Sequence, residues 1–367
     1  MEKLENLIKA ETGIIDTNIE SYEILPSPDQ VLSEIPSSSK ARLTVINGRK
    51  DIKNILDYTD SRKIIIVGPC SIHDSIAARA YGEKLAELAK EVKEQLVIVM
   101  RTYLEKPRST IGWKGIIDDP ALDNSNHVEE GIKISRRLLL EINELGLPCA
   151  NEFLRQDIPQ YVSDLISWGA IGARTVESQT HRELASGLSM PIGFKNNTGG
   201  DIKVAVDAAI AARSTNTFLG ITLEGKICSV RTKGNPYSHI VLRGGNGQPN
   251  YHPEKIKETS ELMKQAKIRA GIIVDCSHAN SNKQYEEQEK VAYEVLNQIE
   301  NGTKEIVGIM IESNLYEGKQ DFPKNKREIQ ELKYGVSITD SCIGWETTER
   351  IIRKYARVQE KPRHNLE

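Results

Sequence analysis

The chain has 367 residues, 38% of them hydrophobic and 28% charged, and a formal net charge of −3. That length admits either two domains or one α/β barrel of roughly 250 residues with extensions. So slight a charge excludes nucleic acid or an anionic membrane as a partner recruited by bulk field, and any anionic ligand must be held by local cations.

Residues 1–16 alternate charged and apolar side chains with no uninterrupted apolar core, which argues against a secretory leader. No later run approaches the roughly 20 apolar residues of a membrane span. The N-terminal extension, 1–60, is Pro/Ser-rich through Leu25-Pro26-Ser27-Pro28 and Pro36-Ser37-Ser38-Ser39, then helical over 41–58. From residue 61 strands and helices alternate. Lys63–Gly68 is a continuous apolar run ended by Gly-Pro, as expected of a strand buried on both faces. Residues 75–95 carry Ala78, Tyr81, Leu85, Leu88 and Val92 on one helical face. Further strands are predicted at 96–100, 148–153, 169–174, 191–195, 239–243, 271–275 and 306–311. Helical patterns at 129–145, 179–188, 201–213, 253–269 and 285–300 separate them, and a hairpin inserted at about 217–232 turns at Glu224-Gly225-Lys226. Eight βα units predict a (β/α)₈ TIM barrel over 61–367, with an open doubly wound sheet as the alternative.

The five cysteines, Cys70, Cys149, Cys228, Cys276 and Cys342, are scattered and odd in number. They fit reduced thiols in a cytoplasmic protein better than a disulfide framework. Cys276 stands two residues before His278, which places both on one strand face.

The predicted strand exits carry Cys70, Arg101, Glu152, Arg174, Lys195, Arg243, His278 and Glu312. In a barrel these converge on one mouth, the face that carries barrel active sites. Arg101, Arg174, Lys195 and Arg243, with Lys106 and Arg108 in the next loop, form a set of unpaired cations suited to a phosphate or carboxylate. Cys70, His278, Glu312 and Asp340 supply a thiolate, an imidazole and two carboxylates, a mixed donor set for a divalent transition metal. No spacing rule identifies such dispersed ligands, so a metal site and a set of solvated strand ends both stay open.

Seven segments taken together resemble the type I 3-deoxy-D-arabino-heptulosonate 7-phosphate (DAHP) synthase family. They are Gly68-Pro69-Cys70-Ser71-Ile72-His73-Asp74, Lys106-Pro107-Arg108-Ser109-Thr110, Gly172-Ala173-Arg174-Thr175-Val176-Glu177-Ser178-Gln179, Gly193-Phe194-Lys195-Asn196, Leu242-Arg243-Gly244-Gly245, Asp275-Cys276-Ser277-His278-Ala279-Asn280 and Ser337-Ile338-Thr339-Asp340. The likeness runs from about Leu43 to Arg357. It implies a barrel that condenses phosphoenolpyruvate with erythrose 4-phosphate at the start of aromatic amino-acid biosynthesis. Implied metal ligands are Cys70, His278, Glu312 and Asp340, holding Mn, Fe, Co or Zn. Phosphoenolpyruvate falls to Arg101, Lys106, Glu152, Ala173, Arg174, Lys195 and Arg243, and the aldehyde's phosphate to Lys106, Pro107, Arg108 and Ser109. Lys106 is the expected proton-transfer or charge-stabilising group. Position 109 is serine where most relatives have threonine, and the hydroxyl is kept.

The resemblance also implies an aromatic amino-acid effector bound between the extension, the barrel helices and the hairpin. Pro159, Leu188 and Ser189 match that pocket, whereas Gly220 stands where serine is common, so altered sensitivity to phenylalanine or tyrosine is expected. A homodimer or homotetramer is expected too. Cys342, two residues past Asp340, is expected to form a disulfide with Cys70 once metal is lost. His73 and Asp74 are read as ordering their loop, Trp113 as packing, and His181, His239 and His252 as surface or structural. The rivals are the sibling synthase that uses arabinose 5-phosphate and a non-catalytic sensor of aromatic amino acids. Alanine and asparagine are usual in that sibling where Pro107 stands here.

Overall fold

The computed structural model describes residues 15–360. The expectation of no secretory leader rests on residues 1–14, which lie outside them. Strands β1 (Lys63–Gly68), β2 (Leu96–Arg101), β3 (Cys149–Glu152), β4 (Trp168–Ile171) and β5 (Ile192–Lys195) are followed by a hairpin, β6 (Thr217–Ile221) and β7 (Ile227–Arg231). Then come β8 (Ser238–Leu242), β9 (Ile272–Asp275) and β10 (Ile306–Glu312). The order β1-β10-β9-β8-β5-β4-β3-β2 closes on itself, every pair parallel, with β6 and β7 antiparallel and outside. The fold is a (β/α)₈ barrel, not an open sheet.

The pleat sorts each strand into two layers. Ile64, Ile66, Val97, Val99, Ala150, Trp168, Ala170, Val241, Ile273, Val307 and Met310 fill the barrel, while Ile65, Val67, Ile98 and Met100 pack outward among the helices. The helix Ser39–Leu56 belongs to this core, because Ile52, Ile55 and Leu56 join the interior cluster. A Cβ on its Gly48 would lie 2.9 Å from Pro148 and Ser167, at the starts of β3 and β4, so the helix lies across the N-terminal end of the barrel. The opposite end is left open for chemistry.

Helix boundaries follow local chemistry. Asp74 accepts from the amides of Ile76 and Ala77 and caps the helix Ser75–Glu91, whose predicted face (Ala78, Tyr81, Leu85, Leu88, Val92) is buried. The helix Trp345–Glu360 was not anticipated. Its buried stripe is only Thr348, Ile351, Ile352, Tyr355 and Ala356 among many charges, too sparse to read as a period. No helix among the described residues is long and apolar enough to cross a membrane.

His239 lies fully buried inside the barrel. Trp168 Nε1 donates to its Nε2 at 3.1 Å, and its Nδ1 therefore donates to the Tyr237 carbonyl at 3.0 Å. Burial pulls its pKa down to about 4. Between about pH 6.5 and 4 the unfolded chain takes up a proton that the folded chain refuses, so stability falls by up to about 3 kcal/mol across that window and levels off below it. Urea midpoints of wild type and His239→Gln at about pH 7 and pH 4.5 measure this: the variant should lose less stability on acidification.

Candidate active site

Strand register assembles the centre of the site. Gly68 on β1 pairs with Glu312 on β10, which sets Cys70 beside Glu312. A Cβ at Gly68 would sit 2.7 Å from the Arg101 carbonyl, so only glycine lets β1 and β2 close at this level. Cys70 is fully buried. Its Sγ accepts from Lys106 Nζ at 2.7 Å and donates to Asp340 Oδ2 at 3.6 Å, while Lys106 Nζ reaches the same Oδ2 at 3.2 Å. The donor atoms of Cys70, Glu312 and Asp340 lie within 4.8 Å of one another. His278 approaches from one side, Nε2 standing 3.7 Å from Glu312 Oε1.

The electrostatics of the cluster are set by burial and by the Lys106 ammonium. Burial pushes the Cys70 thiol up to about 11, Glu312 adding to the push. Burial alone would depress Lys106, but Cys70 and Asp340 outweigh it and hold the ammonium charged. Lys106 in turn draws the Asp340 carboxyl well below its usual range. An ammonium already sits between two of the four donors, and a soft sulfur with imidazole and carboxylates suits Mn, Fe, Co or Zn without choosing among them.

The expected set of unpaired cations needs correction. Arg101 is spent: Nε donates to the Pro69 carbonyl, Nη2 to the Cys70 carbonyl and Glu312, and Nη1 meets Met310 Sδ at 3.1 Å. The Tyr103 ring lies 3.6 Å beneath its guanidinium. Lys195 is held by Asp275 Oδ2 at 2.8 Å. Both cations are almost wholly buried, and a buried charge without a counter-charge is too costly to keep. Arg174 and Arg243 are less committed. Arg174 is not at a strand exit, since β4 ends at Ile171; it sits exposed in the following turn, its Nε donating to Ser109 Oγ at 2.9 Å. Arg243 directly follows β8, its Nη1 donating to the Gly244 carbonyl at 3.3 Å.

Glu152 ends β3, and a Cβ at Gly172 would fall 2.0 Å from its Oε1, so the Ala173–Arg174 turn rides on that carboxylate. Lys106, Pro107, Arg108 and Ser109 share a loop closed by the Lys106 amide on the Lys114 carbonyl at 2.7 Å, with Arg108 and Ser109 exposed. Trp113 packs near Phe322 and donates to the Asp119 carbonyl.

Sequence reasoning assigned Asp275 no role, though it is the carboxylate on which Lys195, Ser277 and His278 meet. The available signal was an aspartate closing the apolar run Ile272-Ile273-Val274. Glu105 was missed as well: almost fully buried, its carboxyl pushed by burial up to about 8, it faces Arg155 at 3.6 Å. Contrary to expectation, Cys276 and His278 do not share a strand face, because β9 stops at Asp275 and His278 opens a 3-10 turn at φ 58°. A positive φ at a non-glycine residue is strain of the kind held at functional sites.

The effector residues lie on neighbouring elements. Pro159 is buried in the short helix Ile158–Val162, Gly220 is in β6, and half-buried Leu188 and exposed Ser189 follow the helix Gln179–Gly187. Gln160 Nε2 donates to the Ile221 carbonyl at 3.1 Å, Tyr161 Oη to Pro26 O at 2.9 Å, and the Asp29 amide to Leu223 O at 2.8 Å. Extension, short helix and hairpin are thus joined. Cys342 is a buried free thiol whose Sγ lies 3.7 Å from the Asp340 carbonyl.

A closed parallel barrel with a buried thiol, carboxylates, an imidazole and cations at one mouth has the makeup of a metal-assisted barrel enzyme acting on anionic substrates. The family model of the DAHP synthetase I family matches residues 36–353. The Phe-sensitive phospho-2-dehydro-3-deoxyheptonate aldolase of Escherichia coli (strain K12) is 50% identical over 92% of this chain and 95% of its own length. The tyrosine-inhibited protein of that name from Candida albicans is 50% identical, covering 92% of each. A solved structure of phospho-2-dehydro-3-deoxyheptonate aldolase from Francisella tularensis SCHU S4 is 45% identical and superposes with a TM-score of 0.90 over 94% of this chain and 99% of that one. The chain belongs to the DAHP synthetase I family.

Proposed function

We propose that this barrel mouth joins phosphoenolpyruvate to erythrose 4-phosphate, releasing DAHP and phosphate. The chain is a 3-deoxy-7-phosphoheptulonate synthase, a transferase acting at the opening step of the shikimate pathway, in keeping with its family. The observation that carries the reading is the Cys70–Lys106–Asp340 contact, with Glu312 and His278 beside it.

Cys70, His278, Glu312 and Asp340 would hold the divalent metal, which when bound supplies Lewis acidity toward the aldehyde oxygen. Arg174, Arg243 and Lys195 take the phosphate and carboxylate of phosphoenolpyruvate, over a floor built from Arg101, Glu152 and Ala173. Lys106, Pro107, Arg108 and Ser109 take the phosphate of the aldehyde. Held so, phosphoenolpyruvate C3 faces the aldehyde carbon, and the encounter becomes a positioned one. As the carbon–carbon bond forms, Lys106 Nζ supplies a proton or positive charge to the new alkoxide. Water adds at the electron-poor C2, and phosphate leaves. A phosphate-release assay with erythrose 4-phosphate against arabinose 5-phosphate tests the substrate: equal rates would reject it in favour of the sibling reaction.

An aromatic amino acid is the proposed effector, supported by relatives named Phe-sensitive and Tyr-sensitive. Gly220 removes a hydroxyl from the pocket, so inhibition by phenylalanine should need well above micromolar concentrations; strong inhibition at micromolar levels would contradict this. Residues 1–60 are read as the regulatory and oligomerisation segment of a cytoplasmic homodimer or homotetramer. Metal-stripped, oxidised protein should carry a Cys70–Cys342 disulfide and regain activity once it is reduced and Mn²⁺ is returned. Mass spectrometry finding both thiols free would reject that.

A further inference from the structure

We propose that Asp275 is a positioning residue that couples metal binding to phosphoenolpyruvate binding. The inference rests on the reading above, in which His278 faces the metal and Lys195 the substrate. Asp275 is wholly buried at the end of β9, inside the barrel mouth. One oxygen, Oδ2, accepts from Lys195 Nζ at 2.8 Å and lies 3.0 Å from His278 Nδ1. The other, Oδ1, accepts from Ser277 Oγ at 2.6 Å and from the Ser277 amide at 3.1 Å, which fixes the plane of the carboxylate. Ser277 Oγ also stands 2.7 Å from His278 Nδ1.

Two consequences follow from sharing one carboxylate oxygen. With Nδ1 turned to acceptors, the proton of neutral His278 sits there and the lone pair of Nε2 points to the Glu312 side, the orientation a ligand needs. The strained backbone of His278, at φ 58°, gains its compensation from the same contacts. Lys195 meanwhile has the Asp275 carboxylate as its buried counter-charge. When an anionic substrate draws on the Lys195 ammonium, Asp275 is left with more of its charge for the Nδ1–H of His278, which strengthens Nε2 as a donor. Substrate therefore tightens metal, and by linkage metal tightens substrate by the same factor.

The test titrates full-length, metal-stripped protein with Mn²⁺ alone and with Mn²⁺ plus phosphoenolpyruvate, by calorimetry or by the electron paramagnetic signal of free Mn²⁺. Wild type should bind Mn²⁺ more tightly with phosphoenolpyruvate present. Asp275→Asn should weaken Mn²⁺ binding ~10–100-fold, the usual effect of removing the group behind a metal ligand, and should lose the dependence on phosphoenolpyruvate. A variant that keeps both the affinity and the dependence overturns the coupling and leaves the proposed reaction standing. If Asp275→Asn fails to fold, wild type decides: equal Mn²⁺ affinity with and without phosphoenolpyruvate overturns the inference. Wild type that binds no Mn²⁺ at all would overturn the metal reading together with it.

Discussion

Cys70→Ala is expected to abolish metal-dependent turnover, a fall of at least ~10³-fold, because losing a ligand must exceed the ~10–100-fold effect of losing the group behind one. The side chain is fully buried and its sulfur touches both Lys106 and Asp340. Its removal takes away the softest donor of the set, and two carboxylates with one imidazole hold transition metals less selectively. Lys106 keeps Asp340 at 3.2 Å, so the local charge balance survives and the fold should too. Activity titrated against added Mn²⁺, beside a thermal melt, measures this. Undiminished turnover in a folded variant would remove Cys70 from the metal site.

Lys106→Met is expected to lower kcat ~10²–10⁴-fold, the range for removing a positioned proton donor. The effect on metal should be opposite to that of Cys70→Ala. The Lys106 ammonium sits against two of the proposed metal donors, so deleting it removes a competing cation and Mn²⁺ should bind at least as tightly. Stripped of its main partner, Asp340 also loses what holds its carboxyl low. A variant with normal kcat would leave Lys106 a counter-ion only. A variant with normal kcat and weakened Mn²⁺ binding would make it part of the metal site.

Much of this architecture was legible in the residues because parallel barrel strands are buried on both faces. Ile64-Ile65-Ile66-Val67 and Val97-Ile98-Val99-Met100 must be apolar throughout, and such runs announce themselves. The helix Trp345–Glu360 did not, since charges outnumber its buried positions. At the site, residue types at strand exits pointed to the mouth, but pairing did not show. Arg101 and Glu312 lie 211 positions apart and meet only when β1 closes against both β2 and β10. Read singly, Arg101 and Lys195 looked like free cations; read in the fold, each is bound to a carboxylate. Asp275 escaped notice for the same reason, because a lone aspartate ending a strand carries no mark of the three side chains that converge on it. The family resemblance supplied expected ligands that spacing could not.

The most direct test of the central claim follows the ultraviolet absorbance of phosphoenolpyruvate over metal-stripped enzyme, with erythrose 4-phosphate and Mn²⁺ added separately and together. The account predicts rapid consumption only when both are present, with DAHP and phosphate formed in equal amounts. Consumption that proceeds at full rate without metal, or none when aldehyde and metal are both supplied, would contradict it.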